Sequence, residues 1–204
     1  MVLKKYTYSF NGKSVFFFGS DSLEDTAEFF SSVLQHEDAM YDVIKRNSTI
    51  QIGWGFYKVL PVEGTYQIIA CDLLGDPFQA TTDDLSLSLE ILAKQRKVLS
   101  VTKAEPKETS FQDTLIVHKA AVKSPRIYLQ RDEAVNPSDS GWYMGAMGVK
   151  TSDDPNEYAR IYTYQLLKFC KEALAVMQLP VGTICVIENG ELIEIVDENN
   201  NKIL

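Results

Sequence analysis

Histidine occurs twice and cysteine three times among the 204 residues. Neither His36 nor His118 has a second histidine or a cysteine at ligand spacing, so no metal site is expected. Cys71, Cys170 and Cys185 are odd in number, widely spaced and form no CxxC, which argues against a disulfide framework and leaves each as a small buried apolar residue. Long apolar runs are missing as well. The longest early one, Val15-Phe16-Phe17-Phe18, falls far short of the ~20 residues that span a bilayer. Met1-Val-Leu-Lys-Lys has no apolar stretch of signal-peptide length behind it, so a cytoplasmic protein with no membrane contact is expected. Positive charge is the third shortage: 20 Lys and Arg stand against 28 Asp and Glu, for a net charge of −8. Nucleic-acid binding needs a cationic face to displace phosphate counterions, so nucleic acid is not an expected partner, whereas a basic protein is permitted.

What the chain does contain is enough apolar residue, 45% of the total, to build a core unaided by metal or disulfide. Tyr6–Phe10 and Ser14–Phe18 flank Asn11-Gly12, the dipeptide suited to a type I′ hairpin turn. Ser22 and Asp25 suggest a capped helix start, followed by Leu23, Ala27, Phe30 and Leu34 at helical spacing. Ile50, Ile52, Trp54 and Phe56 alternate with small or polar residues and predict one strand over 49–60. Pro61–Gly64 reads as a turn and Thr65–Leu73 as the returning strand. A second helix is expected from a Thr81 cap, although Leu85-Ser-Leu-Ser-Leu also alternates like a strand. Lys103-Ala-Glu-Pro-Lys-Glu-Thr-Ser is charged and lacks apolar periodicity, so it marks a boundary between modules at 1–105 and 112–204. In the second module, short strands are expected at Thr114–His118 and Arg126–Leu129. The longest helix is predicted to start at Asp154-Pro155 and to carry Tyr158, Tyr162, Leu166, Phe169, Cys170, Ala173 and Met177 on one face. A second Asn-Gly hairpin, around Asn189-Gly190, closes the chain. The expected class is α+β, with antiparallel hairpins and packed helices in two halves.

Chemistry-bearing constellations are weak. Asp83-Asp84 and Asp153-Asp154 sit at expected helix starts, where capping explains them. Ser140 lacks the preceding glycine of a G-x-S-x-G elbow, and a triad with Asp139 and His118 has no spacing signature. Gly53-Trp54-Gly55 lies in a strand, where its glycines relieve crowding or mark a bulge, and no glycine run has nucleotide-loop spacing. Neither a catalytic residue nor a cofactor is expected. The segment Arg131-Asp132-Glu133 followed by Asp139-Ser140-Gly141-Trp142 stands out instead. Two readings stay open for it. Trp142 anchors a loop, its indole N–H bonded to Asp132 or Asp139 with Arg131 forked onto the same carboxylates. Alternatively, Arg131, Asp132, Asp139, Ser140 and Trp142 form a partner-binding surface, since Trp and Arg dominate interface hot spots.

Leu115-Ile-Val-His-Lys, Arg131-Asp132, Asp139-Ser140-Gly141-Trp142, Asp153-Asp154-Pro155 and Leu179-Pro180-Val181-Gly182-Thr183 together resemble the Imm33 family, over about Thr114 to Leu204. That family is assigned as immunity proteins of bacterial polymorphic-toxin systems. One departure is visible: the family pattern has an acidic residue after a glycine shortly past the tryptophan, and Tyr143–Lys150 contains none. The resemblance implies a non-enzymatic protein that binds a cognate protein toxin and neutralises it in the producing cell. A net charge of −8 suits a basic toxin. The competing expectations are a small-ligand or regulatory domain with a cleft between the halves, and a hydrolase built on Asp139, Ser140 and His118.

Overall fold

The computed structural model describes residues 2–45 and 47–204; Met1, which opens the N-terminal reading above, lies outside them. The fold is α+β, in two compact units that divide between Ala93 and Lys94.

The first unit opens with the expected hairpin, β1 (Leu3–Phe10) and β2 (Lys13–Ser20). Asn11 and Gly12 both take positive φ, 54° and 74°, as a type I′ turn requires. A 3-10 turn at Asp21–Leu23, capped by the Ser20 hydroxyl rather than by Ser22, leads into α1 (Glu24–Tyr41). Ala27, Phe30, Leu34 and Asp38 line the buried side of α1 at three- to four-residue spacing. Asp42 ends the helix in the left-handed conformation, its N–H donating to the Asp38 carbonyl at 2.9 Å.

The strand expected over 49–60 is instead a tight hairpin, β3 (Thr49–Ile52) and β4 (Gly55–Val62). Gly53 at φ +56° turns the chain, and Trp54 is buried at the turn. A side chain at position 55 would meet the Tyr57 hydroxyl at 2.7 Å, which explains the second glycine. Alternation alone cannot separate one strand from two whose turn consumes two residues. β5 (Thr65–Cys71) follows, and β6 (Thr81–Thr82) pairs with it. The sheet order is β1-β2-β5-β4-β3, with β2 and β5 parallel. Phe17 meets Phe30 edge-on at 5.1 Å and Phe30 meets Tyr57 at 4.7 Å, so the core lies between the sheet and α1. The second helix, α2 (Ser86–Thr102), begins later than the Thr81 cap predicts: Thr81 is taken up by β6, and the Asp84 carboxylate accepts from the Ser86 N–H at 2.8 Å.

The second unit holds β7 (Thr114–His118), β8 (Arg126–Arg131), β9 (Asp139–Ala146), β10 (Tyr158–Tyr162), β11 (Ile184–Glu188) and β12 (Glu191–Val196). Their order is β10-β7-β9-β8-β11-β12, with β7 and β9 parallel and the rest antiparallel. Asn189 and Gly190 turn β11 into β12 at φ 51° and 79°, as expected. Leu115, Val117, Ile127, Leu129, Trp142 and Met144 point to one buried face.

The long helix expected from Asp154 does not form. Asp154 does cap, but only a 3-10 turn, Pro155–Glu157; β10 follows, then 3-10 turns at Thr163–Lys168 and Lys171–Val176. Two forces override the helical periodicity. Tyr158, Ile161 and Tyr162 are aromatic or β-branched and pair with β7 over five residues. Further on, Ala173 to Leu179 are buried consecutively, which a single-faced helix cannot achieve.

Candidate functional site

Two motif segments of the second unit, Asp139–Trp142 and Leu179–Thr183, converge on Arg131, the last residue of β8. Its side chain is 2% exposed. Nε donates to the Ser140 carbonyl at 3.1 Å. Nη1 donates to the carbonyls of Lys107 (3.2 Å), Met177 (3.1 Å) and Leu179 (2.5 Å), and Nη2 to the Glu108 carbonyl (3.1 Å) and the Thr109 hydroxyl (2.7 Å). One guanidinium therefore ties three distant segments together, 107–109, 140 and 177–179. Its planar fork suits that task; a lysine ammonium has three donors at a single point. Burial pulls the Arg131 pKa down to about 10, against the pull of Asp113 and Glu133, so it remains charged at neutral pH. The main chain completes the junction: Arg131 N–H donates to the Thr183 carbonyl at 2.9 Å, and Gly182 N–H to the Arg131 carbonyl at 2.8 Å. Gly182 takes φ +86° to do so. The Leu179–Thr183 motif is thus the partner of the Arg131 motif.

Asp139-Ser140-Gly141-Trp142 forms the other wall. Trp142 is 1% exposed, lies with its ring 5.6 Å from the Arg131 guanidinium, and donates its indole N–H to the Met177 carbonyl at 3.2 Å. The expected bonds to Asp132 and Asp139 are not made, by Trp142 or by Arg131, because both side chains lie on the buried face of the sheet while those carboxylates serve the loop. Ser140, also buried, donates to the Thr114 carbonyl at 2.8 Å and accepts from the Trp142 N–H at 3.2 Å. Gly141 sits at φ +75°, and a Cβ there would lie inside the Asp132 carbonyl oxygen. Asp139 turns inward on its own loop, accepting from the N–H of Gly141 at 3.1 Å and of Val135 at 3.4 Å. Asp132 accepts from the Gln130 amide at 3.0 Å, and its N–H donates to the Gly141 carbonyl at 2.9 Å.

Of the five residues singled out from the sequence, Arg131, Ser140 and Trp142 are therefore interior, Asp139 is half-buried and Asp132 is exposed. Between them they hold a loop, 132–138, whose residues are all exposed. Val135, at 78% exposure, is the side chain that sequence reasoning passed over; an apolar residue inside a polar turn is a readable signal. The carbonyl acceptors of Lys107, Met177 and Leu179 leave no trace in side-chain pattern.

Ser140 and His118 are not hydrogen-bonded to one another. His118 is buried, accepts from the Ala120 N–H at Nδ1 (3.2 Å), and places Nε2 3.4 Å from Glu157 and its ring edge-on to Tyr158. Among the described residues, no three His, Cys, Asp or Glu side chains gather where a metal ion would sit. None of the described helices is long and apolar enough to cross a membrane.

The model of one family, described as the Imm33-like domain, matches residues 94–198. No curated protein and no solved structure matches the chain significantly. The matched stretch contains the whole Arg131 junction and both motif walls around it, and it spans just over half of the sequence. The chain belongs to the Imm33-like family.

Proposed function

We propose that the protein binds a cognate bacterial toxin in the cytoplasm of the producing cell and neutralises it by stoichiometric association, without turnover. The observation that carries this reading is the division of labour around Arg131. The buried members of the motif, Arg131, Ser140 and Trp142, fix the backbone, and the loop they fix offers Asp132, Glu133 and Val135 to solvent. A pre-ordered loop loses little conformational entropy on binding, so its contacts count fully toward affinity. In this reading Asp132 and Asp139 supply charge and loop shape, Val135 supplies the apolar contact, and the interior residues act through the loop.

Growth rescue tests it. The toxic C-terminal segment of a candidate secreted polymorphic toxin is expressed with and without the chain, and the lysate is run on a sizing column. Rescue with a co-eluting complex supports the proposal. Persistent toxicity with no complex overturns it. Within a rescuing pair, Val135→Asp combined with Asp132→Asn is expected to weaken the complex by more than about 1 kcal/mol while the melting temperature is retained.

A further inference from the structure

The part of α2 that belongs to the second unit carries an ordered stripe. Lys94, Lys97, Val98 and Val101 recur at three- and four-residue spacing, so they share one side of the helix, with the cations toward its start and the valines toward its end. That side borders a cleft of about 300 Å³ whose lining residues all lie in the second unit. Ala175, from the 3-10 turn at Lys171–Val176, and Ile195 of β12 are buried and form its floor, with Leu192 half-buried beside them. Leu204 completes the lining and is held there by main-chain pairing. The Ile195 N–H donates to the Leu204 carbonyl at 3.2 Å, and the Ile203 N–H to the Ile195 carbonyl at 2.9 Å. Val101 and Leu204, 51% and 40% exposed, are its apolar lips.

Small-molecule sites are mostly apolar clefts of this size or larger, with a few polar groups that orient the guest. Here the lining indicates the guest. Among the described residues that line the cleft, Lys94 and Lys97 are the only charged side chains, and none carries a carboxylate, a hydroxyl or an amide. Glu194, next to Ile195 on β12, is paired with Lys202 at 3.6 Å. Glu90 precedes Lys94 by one turn, the spacing of a helical ion pair, so the charge that matters most is that of Lys97. Ala93 and Val101 stand four residues to either side of Lys97, and Lys94 and Ser100 three, so its helix supplies it with no carboxylate. We propose that the cleft binds a free medium-chain fatty carboxylate, with the head group at the Lys97 ammonium and the alkyl chain along Val98 and Val101 toward Leu204. From Lys94 to Val101 the helix advances about 10 Å at roughly 1.5 Å per residue, which leaves room for an extended chain of that length. Methylenes removed from water supply affinity, and the lysine end fixes direction. The site shares no residue with loop 132–138 and does not rest on the toxin reading.

The test is calorimetric titration of the full chain with decanoate below its micelle concentration, with melting temperature as a second readout. One saturable site and a raised melting temperature are expected. Decanol has the same chain without the charge, and acetate the charge without the chain. Each is expected to bind at least about tenfold more weakly than decanoate, through loss of a charged hydrogen bond or of the buried methylenes. Lys97→Glu and Val101→Asp alter exposed positions, so both variants are expected to melt as the wild type does without ligand. Both are expected to lose at least about tenfold in decanoate affinity, and Lys97→Glu to leave decanol binding unchanged. Decanol bound as tightly as decanoate overturns recognition of the carboxylate. Decanoate affinity unchanged in both variants places the ligand elsewhere and overturns the site. Absence of saturable decanoate binding overturns the proposal outright, and a toxin complex weakened by Val101→Asp would then make the cleft a protein contact.

Discussion

The Arg131 guanidinium ties three sequence-distant segments of the second unit together. Removing Arg131 takes a donor from five carbonyls and a hydroxyl, of which those of Ser140, Leu179 and Thr109 are bonded to it in the interior, and Arg131→Met is expected to lower unfolding stability by about 3–5 kcal/mol in urea titration. Arg131→Lys is expected to recover little of it, since an ammonium cannot reach segments 107–109 and 177–179 together. Gly141 offers a sharper contrast. An alanine there must hold φ near +75° and also displace the Asp132 carbonyl, whereas Gly190→Ala, at φ +79° with open space around it, meets only the backbone penalty. Gly190→Ala is expected to cost about 1 kcal/mol, and Gly141→Ala well over twice that, read from the same urea titrations. Equal costs at the two positions would show that the loop yields around Gly141 and is not fixed.

At the scale of elements, the hairpins were readable from sequence because Asn11-Gly12 and Asn189-Gly190 dictate their turns locally. The Arg131 and Trp142 motif was readable as residues but not as geometry: their acceptors are main-chain carbonyls remote in sequence, and any residue type presents a carbonyl. The segment after Asp154 misled for a related reason. Its apolar residues recur at helical spacing, yet pairing with β7 and burial on every side decide its course, and neither is a local property. One element junction lends itself to titration. Asp38, near the end of α1, accepts from Lys13 at 2.7 Å, Asn11 at 3.1 Å and the Ile44 N–H at 2.8 Å, tying the first hairpin to the helix end. Burial disfavours the charge, but these three donors and the Lys13 charge together hold the carboxyl below its ordinary value. The folded state thus binds that proton less tightly than the unfolded chain, so the contribution is complete above the unfolded value of about 3.9 and is lost as pH falls through the folded one. Asp38→Asn is expected to be less stable than the wild type at neutral pH, the difference narrowing as pH falls through the lowered folded value. A difference that does not change with pH would assign the loss to packing.

For the whole molecule, the uneven charge matters more than its total. Residues up to 93 have six Lys and Arg against thirteen Asp and Glu, a net charge of −7, and the rest of the chain has fourteen against fifteen, a net charge of −1. That field acts on an approaching cation well before contact, and it acts mainly from the first unit. Steering of this kind changes association rate more than dissociation rate, because long-range attraction is already present in the encounter. Two pairs of exposed carboxylates separate that effect from general acidity. Glu63→Lys with Asp83→Lys reverses charge on the first unit, and Glu191→Lys with Glu198→Lys reverses the same amount on the second. Both variants carry the same net charge, so a protein steering by total charge treats them alike. Stopped-flow mixing with the toxin segment is expected to show the first pair slowing association several-fold more than the second, with the gap shrinking as salt shortens the Debye length from about 10 Å at 0.1 M to about 3 Å at 1 M. Equal slowing by the two pairs would mean that the partner approaches without preference for the first unit, and a gap that persists in high salt would mean that Glu63 or Asp83 makes a direct contact.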